Sequence, residues 1–217
     1  MTDVTHNRSL VVWDVPSAIA RGESFAIKAG LKCEAECLPE NWALEVRNHE
    51  GSAIANAVIG DQPWPDTAAL YAAEIELVAP DSEGQFGWEV VAPVVKDEQA
   101  VAAGQAAAAG DGAGHAEASA RFNLSVVPAA ECLLTVVAID RESQQPVSGL
   151  KVVIHPYRAV TDERGVAELN LPKGQYRVFV SGQHFFPFRV DGELTSDQTI
   201  RAELDVDRGP SDAEMWS

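Results

Sequence analysis

Residues 161–180, TDERGVAELNLPKGQYRVFV, constrain the fold of this chain more than any other stretch. Val166, Glu168 and Asn170 alternate with Ala167, Leu169 and Leu171. Successive side chains of a strand point to opposite faces, so this period of two predicts one buried and one wet face. Pro172-Lys173-Gly174 interrupts the run, and Tyr176, Phe179 and Val180 supply a second apolar series. Two such runs around a turn predict a half-buried antiparallel hairpin. Asp162-Glu163-Arg164-Gly165 is the preceding turn, where Gly165 can take the positive φ that turns often need. The stretch speaks to fold and carries no catalytic chemistry.

The same rhythm runs through the rest of the chain. Strands are predicted at 9–14, 23–33, 54–59, 69–78 and 121–127, around Trp42, Leu44 and Val46, and around Phe86, Trp88 and Val90. In the second of these, Phe25, Ile27, Ala29 and Leu31 share a face. The loop DQPWPD at 61–66 holds two prolines that no central strand accepts. Residues 1–8 are polar and expected to fray. Between 99 and 120, eleven of 22 positions are alanine and four are glycine. Alanine favours helix and glycine at that density breaks it, so a mobile loop is expected, with one helical turn at 106–109. Short strands with a turn every ~8–12 residues predict an immunoglobulin-like sandwich over 9–127. Pro128-Ala129-Ala130 marks a boundary. A second sandwich is expected over 131–206, from strands at 132–139, 150–155, 166–171, 176–180, 185–190 and 199–206. An acidic tail, 207–217, follows. The fold class expected is all-β, two consecutive antiparallel β-sandwiches.

Charge narrows the partners. The chain has 16 Lys and Arg against 33 Asp and Glu, a formal net of −17. Residues 1–130 hold 7 basic and 19 acidic side chains and residues 131–217 hold 9 and 14, so the first half is the more acidic. Nucleic-acid binders gain affinity by neutralising phosphates with Lys and Arg, so nucleic acid is excluded as a main ligand, and anionic membrane surfaces repel this chain too. MTDVTHNRSL lacks a basic region followed by an apolar run, and no window approaches the ~18 apolar residues of a membrane span. A cytoplasmic protein without membrane insertion is expected. Three cysteines do not make a disulfide framework.

The second half carries a specific pattern: LTVVAID…QQPVSGLKVVIHP, then VTDERGVAEL, then LPKGQYRVFVSG. With Pro146, Gly149, Val152, Thr161, Asp162, Gly165, Gly174, Tyr176, Val178 and Val180 at the matching positions, residues 132–206 resemble the carboxypeptidase regulatory-like modules, also called transthyretin-like or prealbumin-like. The resemblance implies a β-sandwich and is nearly silent on function, because such modules accompany many partners. The first half is immunoglobulin-like in strand rhythm alone. Cys33 and Trp42 are nine apart, and no cysteine after Trp42 comes before Cys132.

No catalytic constellation emerges. H-E-x-x-H is absent, and His115-Ala116-Glu117 echoes the H-x-E of zinc deaminases without their P-C-x-x-C. Gly22-Glu23-Ser24-Phe25-Ala26 misses G-x-S-x-G at its last residue. The chain does not end in the Tyr-Arg-Gly-Ser of hydroxyisourate hydrolases, and His155 with Tyr157, Tyr71 and Tyr176 makes a poor match to the two-tyrosine, two-histidine iron set of intradiol dioxygenases. Cys33 and Cys37 form C-x3-C, readable as half a metal site, a local disulfide or two small apolar thiols. A second close pair is missing and the nearest further candidates are His49 and Cys132, so no metal, cofactor or catalytic residue is expected.

The aromatic residues point to interfaces. Trp64 sits between two prolines. Phe185-Phe186-Pro187-Phe188 places adjacent aromatics, of which alternation sends one outward. Met215 and Trp216 lie in a polar tail. Exposed aromatics of this kind anchor protein interfaces, or else cover an edge of their own domain. The reading that follows is a non-catalytic, protein-binding accessory or scaffold subunit of a larger assembly, with candidate interface residues Trp64, Phe185, Phe186, Phe188, Met215 and Trp216. A carbohydrate- or small-ligand-binding module is the alternative, and an enzyme of unrecognised type the third.

Overall fold

A computed structural model describes residues 5–39, 41–95 and 114–208. The helical turn expected at 106–109, most of the Ala/Gly loop, and Met215 with Trp216 lie outside the described residues. The chain separates into two compact units, Met1–Val126 and Val127–Ser217. Both are β-sandwiches, and among the described residues no helix is long and apolar enough to cross a membrane.

The first unit contains β1 (Thr5–His6), β2 (Arg8–Trp13), β3 (Ile19–Ala20), β4 (Ser24–Cys33), β5 (Ala43–Arg47), β6 (Ala53–Val58), β7 (Tyr71–Val78), β8 (Gly84–Ala92), β9 (Gly114–His115) and β10 (Ala118–Val127). One sheet runs β2-β4-β7 and the other β3-β10-β8-β5-β6, with β1 and β9 as a short parallel pair. The alternation read from sequence decides what lies between the sheets. Ile27, Ala29, Leu31, Ile75 and Leu77 meet Leu44, Val46, Trp88, Val90, Phe122 and Leu124 in one core. Trp88 stacks against Phe25 and Phe122, each at a ring separation of 6.0 Å.

Residues 5–8, within the stretch expected to fray, are strand or strand-flanking. Thr5 and His6 pair with Gly114 and His115, and Arg8 is buried on β2. A charged side chain survives burial when most of its donors are met, here all but Nη1, which has no hydrogen-bond partner among the described residues. Arg8 Nε donates to the Ala116 carbonyl at 2.9 Å, and Nη2 donates to the carbonyls of Ala92 (3.1 Å) and Pro93. Those bonds also tie residues 114–116 to the sandwich, so the last part of the 99–120 segment is strand rather than loop.

The second unit contains β11 (Cys132–Asp140), β12 (Lys151–Ile154), β13 (Tyr157–Val160), β14 (Val166–Leu171), β15 (Gly174–Ser181), β16 (Phe188–Leu194) and β17 (Gln198–Leu204). Its sheets are β14-β11-β17 and β13-β12-β15-β16, and β11 with β17 is a parallel pair. Leu134, Val136, Leu169, Leu171, Ala202 and Leu204 face Val152, Ile154, Val178, Val180 and Leu194 across the core.

The hairpin expected over 166–180 does not form. β14 pairs with β11, and β15 pairs with β12 and β16, so Pro172-Lys173-Gly174 carries the chain from one sheet to the other. Tyr176 Oη donates to the Pro172 carbonyl at 2.8 Å across this crossing. Phe179, read as part of the buried series, faces outward, and Val178 takes the core position. The strand expected at 185–190 starts at Phe188. Phe185 instead forms an isolated bridge to Val206.

The 162–165 turn is built as read. Asp162 Oδ1 accepts from the backbone N–H of Arg164 (2.9 Å) and Val166 (2.8 Å). Gly165 sits at φ +73, where a Cβ would stand 2.5 Å from the Ala138 carbonyl oxygen. Only glycine fits there without displacing backbone. The buried Thr161 hydroxyl donates to the Val147 carbonyl at 2.8 Å and accepts from the Leu150 N–H at 2.9 Å.

Candidate functional site

Four side chains of types able to ligate a metal, His6, Cys33, Cys37 and His115, come together in the first unit. Cys33 is the last residue of β4, and the chain turns back over it with Glu36 at φ +55, bringing Cys37 alongside. The parallel pair sets His6 of β1 opposite His115 of β9. The thiol sulfurs of Cys33 and Cys37 and one ring nitrogen from each of His6 and His115 all lie within 4.8 Å of one another. His6 Nδ1 stands 3.1 Å from Cys37 Sγ. Cys33 and His115 are buried, and His6 and Cys37 half-buried. The rings of His6 and His115 meet edge to face at 5.7 Å, and Trp42 walls the site 5.2 Å from His115. Arg8 lies directly across the β2–β4 ladder from Cys33, its guanidinium 5.8 Å from the Trp42 ring centre. Burial holds the Arg8 pKa below its ordinary value, and the neighbouring Cys33 opposes that shift. Thiolate and imidazole together are the donors of borderline-soft transition metals.

The ground for expecting no metal is thereby overturned. The C-x3-C pair does have a second pair, and it is His6 with His115 rather than His49 or Cys132. His49 packs its ring on Phe86 at 4.9 Å, and Cys132 is buried in the core of the second unit. Sequence reasoning missed His6 because it lies in a short polar N-terminal stretch. It missed His115 because the Ala/Gly composition around it masks the two-residue strand. The one local signal was Arg8, a lone cation entering an apolar run.

The interface candidates are placed differently from one another. Trp64 is held by its own unit, edge-on to Trp13 at 5.2 Å with Lys28 Nζ 5.4 Å from its ring centre. Phe185 and Phe188 pack against the second core. Phe186 is the outward one, 55% exposed.

A further surface emerges on the β13-β12-β15-β16 sheet. Cross-strand pairing aligns Arg158, Val153, Phe179 and Arg189 in one row of its outward face. The Arg189 guanidinium lies 5.7 Å from the Phe179 ring centre. Val160, paired with Lys151, is 60% exposed. Arg177 Nε donates to Asp191 Oδ1 at 2.6 Å on the same face, and that bond, with Arg189 alongside, holds the Asp191 carboxyl below its ordinary pKa. The face thus carries Lys151, Arg158, Arg177 and Arg189 around Phe179, against Asp191, which pairs with both Arg177 and Arg189, and Glu193. Two cavities, one lined by Asp14, Lys28 and Glu74 and the other by Leu134, Tyr176 and Ile200, hold about 100 and 90 Å³. Neither approaches the ~300 Å³ of a small-molecule site.

No protein family model matches the chain, and no curated protein matches it. Among solved structures it is similar to the major pilin subunit BcpA of Bacillus cereus, at 11% identity over 92% of this chain and 70% of that one, with a TM-score of 0.32. It is similar to fibronectin(III)-like modules of CbhA from Clostridium thermocellum, at 13% identity over 93% and 97% and a TM-score of 0.31. A third is the shaft pilin SpaA of Lactobacillus rhamnosus GG, at 10% identity over 95% and 100% and a TM-score of 0.30. At these values the likeness assigns no activity to this chain.

Proposed function

We propose that this protein is a non-catalytic accessory or scaffold subunit that binds an acidic protein partner through the outward face of the β13-β12-β15-β16 sheet. The observation that carries the reading is Phe179, held out of the core between Val153 and Arg189 on a face where four cations outnumber the carboxylates of Asp191 and Glu193, in a chain of net charge −17. An aromatic flanked by arginine is the composition of interface anchors, and opposite charge guides encounter. The same reading takes the second unit as a carboxypeptidase regulatory-like module, supported by its seven strands and by the roles of Thr161, Asp162 and Gly165 in one turn. It takes the cytoplasm as the compartment, supported by three cysteines none of which is in a disulfide.

The test uses the full chain, isolated natively from its source cells, against a Phe179→Glu, Arg189→Glu variant. A partner at fixed stoichiometry, weakened by salt and lost from the variant at unchanged melting temperature, is the expected result. Equal recovery of that partner by the variant overturns the reading, as does a monomer that carries no partner by light scattering.

A further inference from the structure

We propose that His6, Cys33, Cys37 and His115 hold one zinc ion as a closed tetrahedral centre that staples the first unit. Zinc binds thiolate at about 2.3 Å and imidazole nitrogen at about 2.0–2.1 Å, so the edges of its tetrahedron are roughly 3.3–3.8 Å. The four donor atoms lie within 4.8 Å of one another, and the His6–Cys37 edge is already 3.1 Å. Shifts of an ångström or less in side chains close the set.

Charge and burial favour the same metal. Two thiolates balance the dication and two neutral imidazoles add nothing, so the metal assembly itself is neutral, and the buried Arg8 guanidinium beside it is met by the carbonyls of Ala92, Pro93 and Ala116. Each thiol yields one proton to solvent as its sulfur bonds the metal, and the imidazoles bind through a lone pair. A tetrahedral set of two sulfurs and two nitrogens suits zinc or an iron–sulfur centre, and four single donor atoms within 4.8 Å of one another match the edge lengths of one zinc ion. All four positions are filled by protein, which leaves none for a reacting water and makes the centre structural.

The location explains its purpose. β1 and β9 are two residues each, held by few backbone bonds, those of His115 with Val95 and of Ala116 with His6 among them, and each contributes one histidine. The thiols come from the end of β4 and the turn after it. One ion therefore ties the N-terminal strand and the start of the β9–β10 segment to the central strand of the β2-β4-β7 sheet.

The test uses the full chain, purified under reducing conditions, stripped with chelator and reloaded. About one zinc per chain is expected to survive desalting. Cobalt(II) in its place should give intense tetrahedral visible bands and thiolate-to-cobalt charge transfer. Cys33→Ser and His115→Ala should each weaken metal retention about tenfold or more, while Cys132→Ser leaves it unchanged. Because those variants can misfold, the wild-type chain supplies a second reading. Zinc should protect Cys33 and Cys37, against the stripped state, from alkylation. Failure of the wild type to retain zinc, six-coordinate cobalt spectra, copper(I) held to the exclusion of zinc, or a Cys33–Cys37 disulfide persisting under reductant would each overturn the assignment.

Discussion

At the scale of single residues, the second unit depends on one short turn. Asp162 spends its carboxylate on the N–H groups of Val166 and Arg164 and on the Arg164 guanidinium. The hydrogen bond from Val166 leads the causes that hold its pKa below the ordinary value. A carboxylate with a depressed folded pKa contributes stability that is present above the unfolded pKa, about 3.9, and is lost as pH falls through the folded value. Urea midpoints of the wild type should therefore fall below about pH 4, with Asp140 and Asp191 adding to the same slope. Asp162→Asn should lower the midpoint at neutral pH and flatten the acid limb. Parallel pH profiles for the two proteins would show that this carboxylate contributes nothing.

At the scale of elements, the crossing between β14 and β15 separates what alternation encodes from what it does not. Leu171 is fully buried at the end of one sheet, and Phe179 faces out from the other. Leu171→Ala should cost about 2–5 kcal/mol of unfolding free energy, because it leaves a cavity where both sheets meet. Phe179→Ala should cost less, about 1 kcal/mol, because the ring is 38% exposed and lies outside the closed core. Chemical denaturation of both variants checks the pair, and comparable losses would place Phe179 in the core and remove the basis of the proposed partner face. The short strands β1 and β9 pose the opposite case, since each is two residues long and much of what holds β9 lies outside its own pair, in Val95 opposite His115 and Arg8 on the Ala116 carbonyl.

At the scale of the molecule, a net charge of −17 means self-repulsion in every compact state. Most surface ion pairs here are exposed and worth little, as with Arg121 and Glu89 or Arg164 and Asp162. Screening the excess of like charge should outweigh the loss of those pairs. Raising sodium chloride from about 10 to about 300 mM, which takes the Debye length from ~30 to ~6 Å, should raise the melting temperature in calorimetry. A fall would show that local pairs dominate the charge balance.

Much of the sandwich was written in local pattern. Ile27, Ala29 and Leu31 on β4, Leu169 and Leu171 on β14, and the Asp162–Gly165 turn are buried or bent as their spacing required, because side-chain period and turn stereochemistry act within a few residues. Strand partnership was not legible, because the same alternation suits a hairpin or a crossing between sheets, and β14 and β15 chose the crossing. Nor was the thiol–imidazole cluster. His6 and His115 stand far apart in the chain from Cys33 and Cys37, and only the closing of the β1–β9 pair against the end of β4 brings the four together. Local interactions are settled by the neighbouring residues. A site assembled from distant strands exists only when the whole ladder has chosen its register.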